Sequence, residues 1–200
     1  MNQIKISGII ESPIEFDYEF MHEKFYTFTL CSERASGAVD TLTCIVPEHL
    51  IEDFSTGDVV SIVGEIRTRN YRADGKSHLD IRIFVKELSV CEDGCDSNDV
   101  ELIGFIVKEP VNRITPSGRC ITDLMIAVNR PYGKSDYIPC IMWGRNAKWA
   151  ANLPVGKEVT IYGRFQSREY RKVVGDEVET RTAYEVSGYY IGESEDEENG

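Results

Sequence analysis

The chain has 200 residues, an ordinary apolar fraction of 42% and a formal net charge of −12. That length suits one large or two small domains, and no apolar run is long enough for a membrane-spanning helix. The first ten residues, MNQIKISGII, lack the charged and apolar regions of a signal peptide, so we expect a cytoplasmic protein. An acidic balance is unusual for a nucleic-acid binder, and the distribution of the charge therefore matters.

The two halves of the chain are weakly similar to each other, which indicates an internal repeat. GDVVSIVG at residues 57–64 falls on GKEVTIYG at residues 156–163, and similar matches link residues 1–90 to residues 99–192. Each half offers about five short strands and one short helix, which is the element count of an OB barrel. The sequence therefore predicts an all-β protein of two five-stranded Greek-key OB-fold barrels in tandem, each with one short helix.

Composition marks the boundaries between the predicted domains. Residues 91–98 are acidic and lack apolar periodicity, so we predict a linker between domains 1–90 and 99–192. Residues 193–200, ESEDEENG, predict a disordered acidic tail. The first half has a net charge of −6, the linker −3, the second half +2 and the tail −5. Affinity for phosphate therefore belongs to the second half, and it should weaken with salt.

Residues 136–172 predict a strand, a short helix and a second strand. Alternation in the first strand directs Tyr137 and Trp143 away from the core, whereas we expect Trp149 on the helix to pack against the barrel. The second strand directs a mixed set outward: Thr160, Tyr162, Arg164, Gln166 and Arg168. Rings interleaved with arginines suit a single-stranded nucleic acid, because bases stack on rings and arginine contacts phosphates.

The segments YIPCIMWGRNA and VGKEVTIYGRFQSREY resemble bacterial single-stranded DNA-binding proteins, and the resemblance extends over residues 99–192. It implies a protein without enzymatic activity or cofactor that binds single-stranded DNA with little sequence preference in replication, recombination or repair. Four OB barrels commonly act together in that family. A tandem chain would therefore form a homodimer, located in the cytoplasm and associated with the nucleoid.

The resemblance also suggests which residues contact DNA. Tyr132 lies in a hairpin tip where the family presents an aromatic residue, and Tyr137, Trp143 and Tyr170 match its stacking positions. The basic residues expected to contact phosphate in the second half are Arg130, Arg164, Arg168, Arg171 and Lys172. In the first half, Arg69 and Tyr71 keep the pattern. That half is expected either to bind DNA weakly or to serve as a packing and protein-interaction domain.

Other chemistry finds little support in the sequence. Cys91 and Cys95 form a half site without a second pair at zinc spacing, which leaves a disulfide as the alternative. No nucleophile motif or phosphate-binding loop is visible. Three alternatives stay open: an accessory OB module whose main partner is protein in a primosome or recombination complex, a module associated with an enzyme, and RNA as the ligand.

The acidic tail has a parallel in the same family. By resemblance, such tails recruit replication and repair proteins through an apolar tip, but residues 198–200 here are Glu-Asn-Gly. Two simpler interpretations stay open: competition with DNA for the basic face, and a solvated end without function.

Overall fold

Twelve β-strands and two short α-helices form the described part of the computed structural model. That part consists of residues 1–73, 75–91, 96–174 and 177–193. Internal contacts divide the chain into two compact units, which we name the first-barrel unit and the second-barrel unit. The first-barrel unit comprises Ile4–Asn98 and Phe165–Glu185, and the second-barrel unit comprises Met1–Gln3, Asp99–Arg164 and the described residues from Val186 onward.

Five strands close the first barrel, and a short sixth strand extends its edge. The elements in chain order are β1 (Asn2–Ile10), β2 (Glu15–Phe20), β3 (Glu23–Glu33), β4 (Val39–Pro47), α1 (Glu48–Ile51), β5 (Val59–Ala73) and β6 (Lys76–Val90). The strand order is β2-β3-β4-β6-β5-β1, and a further pairing of β1 with β3 closes the ring. Strands β4 and β6 run parallel, as a Greek-key OB barrel requires.

The second barrel repeats this arrangement. Its elements are β7 (Asn98–Ile106), β8 (Val111–Ile114), β9 (Cys120–Asn129), β10 (Ser135–Trp143), α2 (Gly144–Ala150), β11 (Glu158–Val174) and β12 (Glu177–Glu193). The order is β7-β11-β12-β10-β9-β8, with β7 also pairing with β9 and β10 parallel to β12. The predicted pair of OB barrels is confirmed, and each gains an edge strand, β2 or β8, that the sequence did not indicate.

Alternating apolar residues fill the interior of the second barrel. Ile138, Cys140 and Met142 on β10 are at most 3% exposed, and Val159 and Ile161 on β11 are fully buried. These are the core-facing positions that the period of two predicts. Each large apolar side chain buried in this way contributes roughly 1.5–3 kcal/mol relative to an exposed one. The outward-facing positions of the same strands are thereby held in a fixed register.

Gly104 marks a close approach between strands β7 and β9. A Cβ atom added there would lie 2.4 Å from the backbone oxygen of Ala127. We expect Gly104→Ala to lower the free energy of unfolding by about 3 kcal/mol, because backbone atoms have to move apart. Gly118→Ala is the control, since its Cβ meets open space and only its positive φ of 80° adds about 1 kcal/mol of strain. Equal urea midpoints for the two variants would contradict this expectation.

The predicted boundaries 1–90, 91–98, 99–192 and 193–200 stay a prediction. Contacts group residues 165–185, which form the outer part of the β11–β12 hairpin, with the first-barrel unit. Residues 92–95 and 194–200 lie outside the described residues, and with them the Cys91–Cys95 disulfide and most of the tail.

Candidate nucleic-acid interface

Strand β10 carries two of the predicted stacking residues of the second barrel. It pairs with β9 from Ser135 to Trp143, so the positions of Tyr137 and Trp143 are set by a continuous register. Tyr137 is 42% exposed and Trp143 is half-buried. Both rings therefore lie on the outward side of a strand whose other side is packed into the core.

A hydrogen bond orients the Trp143 ring. Its Nε1 donates to Ser187 Oγ at 2.9 Å, which joins β10 to β12. Because the N–H is satisfied within the second-barrel unit, the indole is held in one orientation before any ligand arrives. A ring held in this way loses little conformational freedom when a base stacks on it.

Tyr132 occupies a strained turn between β9 and β10. The turn is a 3-10 helix over Pro131–Gly133, in which Tyr132 has φ 65° and ψ 30°. A hydrogen bond of 2.7 Å from Arg130 N to Lys134 O closes the turn. The Tyr132 side chain is 100% exposed. A fully exposed ring on a left-handed backbone is a feature that often marks a binding site.

Arg130 differs from the expectation of a simple phosphate contact. Its Nε lies 3.0 Å from Oδ2 of Asp136, whose side chain is fully buried. The first-barrel unit has the corresponding pair, with Arg34 Nε donating to Asp40 at 2.8 Å. Much of the Arg130 charge is therefore neutralised by the barrel itself. Arg164, on β11, is half-buried.

The outer part of the β11–β12 hairpin carries a second group of predicted contacts. Arg168 is exposed, with its guanidinium carbon 5.9 Å from the ring centroid of Tyr170, and its Nε is 3.4 Å from Glu185 Oε1. Tyr170 is 37% exposed and Arg171 is exposed, whereas the Lys172 side chain is not described. The structure thus brings Arg168 and Tyr170 together within the first-barrel unit.

Gln166 is a correction to the sequence analysis. The alternation predicted that it would stand on the open face, but it is only 7% exposed, and its amide donates to Glu185 at 3.0 Å. Trp149, expected to be buried against the barrel, is instead 39% exposed. The helix buries Ala147 and Ala150 in its place. Small side chains bring the helix close to the barrel and leave the indole outside.

The first half supplies Arg69 and Tyr71 on the β5–β6 hairpin. The Arg69 side chain is 71% exposed, with Nη2 3.5 Å from Asp80 Oδ2, and Tyr71 stacks on His78 with 5.3 Å between centroids. Arg82 Nε also contacts Asp80, at 2.9 Å. Carboxylates therefore offset the positive charge of this hairpin, in line with the acidic balance of the first half.

Sequence reasoning missed an aromatic surface on the second barrel. Tyr162 and Tyr190 lie 5.7 Å apart, and the Tyr162 hydroxyl donates to Glu101 at 3.2 Å. The negative charge of Glu101 is the first cause of the raised pKa of Tyr162. Phe105 is 37% exposed on β7, and Tyr189 is 63% exposed on β12. Strand alternation identified Tyr162, but the GYYIG segment has no periodicity that would assign its tyrosines to a face.

Two negative findings concern only the described residues. In this part of the chain, no group of three or more His, Cys, Asp or Glu side chains could hold a metal ion. Across the same residues, no helix is long and apolar enough to cross a membrane.

Comparison with known proteins shows what the second half of the chain is similar to. The model of the single-strand binding protein family matches residues 97–189. Single-stranded DNA-binding protein A of Bacillus subtilis is 35% identical over 88 residues, which are 40% of this chain and 51% of that protein. The single-stranded DNA-binding protein of Halalkalibacterium halodurans is 35% identical over 80 residues, covering 36% and 48% respectively. The chain spans about half the length of these curated relatives.

A solved structure extends the likeness to both barrels. Wild-type single-stranded DNA binding protein from Thermus aquaticus superposes with a TM-score of 0.79 at 17% identity, covering 100% of this chain and 96% of that one. At this identity the likeness shows the fold. Residues 97–189, which are less than half of the chain, are therefore similar to the single-strand binding protein family.

Proposed function

We propose that this chain is a non-enzymatic protein that binds single-stranded DNA with little sequence preference and protects it in replication, recombination or repair. The observation that carries the proposal is the set of outward rings Tyr132, Tyr137 and Trp143 on β10 and the turn before it. They lie in the half of the chain with a net charge of +2. Base stacking on such rings contributes about 1–3 kcal/mol per base and tolerates any sequence.

Each class of side chain has its own role in this mechanism. Tyr132, Tyr137, Trp143 and Tyr170 stack on bases, and the Arg168–Tyr170 pair presents a cation beside a ring. Phosphate contacts come from the basic residues of the second half: Arg130, Arg164, Arg168, Arg171 and Lys172. Arg130 contributes least to phosphate binding, because Asp136 already neutralises it.

The first barrel contributes less to DNA binding in this proposal. Arg69 and Tyr71 are exposed, but Asp80 lies within 3.5 Å of Arg69. A carboxylate beside a phosphate-binding arginine repels the phosphate and competes for the guanidinium. Glu185 lies at a similar distance, 3.4 Å, from Arg168 Nε, so the difference between the two halves rests on their net charges of −6 and +2.

The second part of the proposal is that the chain forms a homodimer, which presents four OB folds. We place this dimer in the cytoplasm, associated with the nucleoid. Ile103, Phe105 and Tyr162 face the same side of the paired strands β7 and β11, with Tyr190 against Tyr162. Exposed aromatic and apolar side chains on one face of a sheet are typical of a protein interface. This surface is the one that the second copy covers.

The dimer is tested by adding a charge to that surface. We expect Tyr162→Lys to reduce the molar mass measured by light scattering from about twice 22.7 kDa to the monomer value. Lys148→Glu, an exposed charge change on helix α2, is the control and should leave the mass unchanged. A dimeric Tyr162→Lys protein would contradict this interface.

DNA binding is tested by fluorescence anisotropy with a labelled oligo(dT) of about 30 nucleotides and a duplex of equal length. We expect tight binding to oligo(dT) alone, with log K falling against log salt by about 0.7 per phosphate neutralised. Equal affinity for the duplex, or no binding to either, would overturn the proposal. Tighter binding to oligo(U) would make RNA the ligand.

A further inference from the structure

The hairpin formed by β2 and β3 stands at the edge of the first barrel. Strand β2 is the last in the strand order and pairs with β3. Met21 and His22, with φ of 50° and 65°, make the tight turn between them. Both turn residues are exposed, and Met21 is 82% exposed. The outer edge of β2 therefore offers backbone groups to an incoming strand.

Three aromatic residues lie along this edge strand. Phe16 is 57% exposed, Tyr18 is 39% exposed and Phe20 is 64% exposed. A register shift between Phe16 and Tyr18 pairs them with Tyr26 and Phe25, which are consecutive residues of β3. Consecutive residues of a strand point to opposite faces. The shift therefore puts Phe16 on one face of β2 and Tyr18 on the other.

Contacts with β3 hold two of these rings in place. Tyr18 stacks on the buried Phe25 with 4.8 Å between centroids and 16° between planes. Phe16 meets Tyr26 edge to face at 6.0 Å. Because the rings are already oriented, a partner that packs on them loses less free energy to ordering. Phe20, nearer the turn, extends the apolar surface.

Acidic residues separate the rings. Glu15, Glu19 and Glu23 are exposed on the hairpin, and Arg82 Nη1 donates to Asp17 at 2.7 Å. Exposed carboxylates repel the phosphates of a nucleic acid, so stacking of DNA on these rings is disfavoured. The charge and the rings together complement a segment that carries Lys or Arg beside apolar side chains.

The second barrel shows that the fold does not require such a hairpin edge. Its corresponding edge strand, β8, has four residues, Val111–Ile114, and none of them is aromatic or acidic. Arg113 of β8 pairs with Asp123 of β9 at 2.6 Å. The acidic and aromatic edge is therefore a property of the first barrel rather than of the repeat.

We propose that the β2–β3 hairpin, residues 15–26, is a docking surface for a basic, apolar-containing segment of another protein. The segment adds to β2 as an extended strand, because an open strand edge recognises a partner through main-chain hydrogen bonds and alternate side chains. Its apolar side chains pack on Tyr18 and Phe20, which lie on one face of β2, and its basic side chains meet Glu19 on the other face. The inference does not rest on DNA binding by the second barrel.

The test uses the full chain and a fluorescein-labelled peptide, KFKVKFK, with EFEVEFE as the charge-reversed control peptide. Two double variants change the hairpin: Phe16→Ser with Phe20→Ser, and Glu15→Gln with Glu19→Gln. The control is Val111→Ser with Ile114→Ser on β8, where the side chains are 56% and 64% exposed. All of these proteins keep the same acidic tail, so binding of the peptide to the tail cannot distinguish them.

We expect each hairpin variant to lose about tenfold or more of its affinity for KFKVKFK, with no change in the β8 control and no binding of EFEVEFE. Equal affinity across all proteins would overturn the proposal, since the peptide would then bind elsewhere. If the hairpin variants lost affinity for oligo(dT) to the same extent, the hairpin would be a DNA-binding surface. If their molar mass fell to half, the hairpin would be the surface that contacts a second copy. The Glu→Gln variant changes only exposed side chains, so a folding defect in the Phe→Ser variant does not remove the test.

Discussion

Asp40→Ala is expected to lower the free energy of unfolding by about 3–5 kcal/mol, because it leaves a partly buried arginine without its partner. The Asp40 side chain is fully buried and accepts hydrogen bonds from Arg34 Nε at 2.8 Å and Arg34 Nη2 at 2.5 Å. The bond to Asp40 is the first cause of the raised pKa of Arg34. A buried carboxylate with these partners holds the start of β4 in place.

The same carboxylate connects β11 to the first barrel. The backbone N–H of Ser167 donates to Asp40 at 2.7 Å, and Arg34 Nη2 donates to the Ser167 carbonyl at 3.1 Å. Thr41 N donates to Ser167 Oγ at 3.0 Å. These bonds explain why residues 165–185 group with the first-barrel unit. Asp40→Ala should therefore loosen this hairpin as well as the barrel.

Urea unfolding followed by circular dichroism measures the loss. Asp123→Ala is the control, since it also removes a carboxylate paired with an arginine. The Asp123 side chain is 39% exposed and that of Arg113 is 44% exposed, so that pair should contribute at most about 1 kcal/mol. An Asp40→Ala midpoint within error of the Asp123→Ala midpoint would show that the buried pair does not stabilise the fold.

Tyr132→Ala and Tyr137→Ala are each expected to weaken oligo(dT) binding by about 1–3 kcal/mol, which is about 5- to 150-fold. Both rings are exposed in the free protein, at 100% and 42%. Removal of the fully exposed Tyr132 ring creates no cavity, so stability should change little in that variant, and urea unfolding of the Tyr137→Ala variant checks that it stays folded. A loss of affinity can then be attributed to stacking rather than to unfolding.

Phe20→Ala is the matched control for this pair. Its ring is 64% exposed, but it lies on the acidic β2–β3 hairpin, where phosphates are repelled. Anisotropy titrations at one salt concentration should give wild-type affinity for Phe20→Ala and reduced affinity for both tyrosine variants. If all three variants bind equally well, exposed rings are not the source of affinity.

The barrels were predictable from sequence because their signals are local. Alternating apolar residues assign Ile138 and Ile161 to the core, and the glycines at the starts and ends of matched segments align the two halves. The exposure of Tyr137 follows from the same alternation, whereas Tyr132 was placed at an exposed hairpin tip by resemblance. Edge strands β2 and β8 were missed, because β2 mixes charged with aromatic residues and β8 has only four residues.

The site was less predictable, because its departures depend on residues distant in sequence. Gln166 is buried through Glu185, nineteen positions away on the neighbouring strand. Ser167 is held by Asp40, which is 127 positions away. A single strand pattern carries no information about such partners. The contact between Arg130 and Asp136 could be identified only once the turn between β9 and β10 was known.

The central claim is that the second barrel stacks single-stranded DNA on its outward rings. Fluorescence of Trp143 tests this claim most directly. The chain has two tryptophans, so a Trp149→Phe variant reports on Trp143 alone. We predict strong quenching by oligo(dT), none by a duplex of equal length, and recovery as salt is raised. Unchanged Trp143 emission at oligo(dT) concentrations that saturate the anisotropy signal would contradict the account.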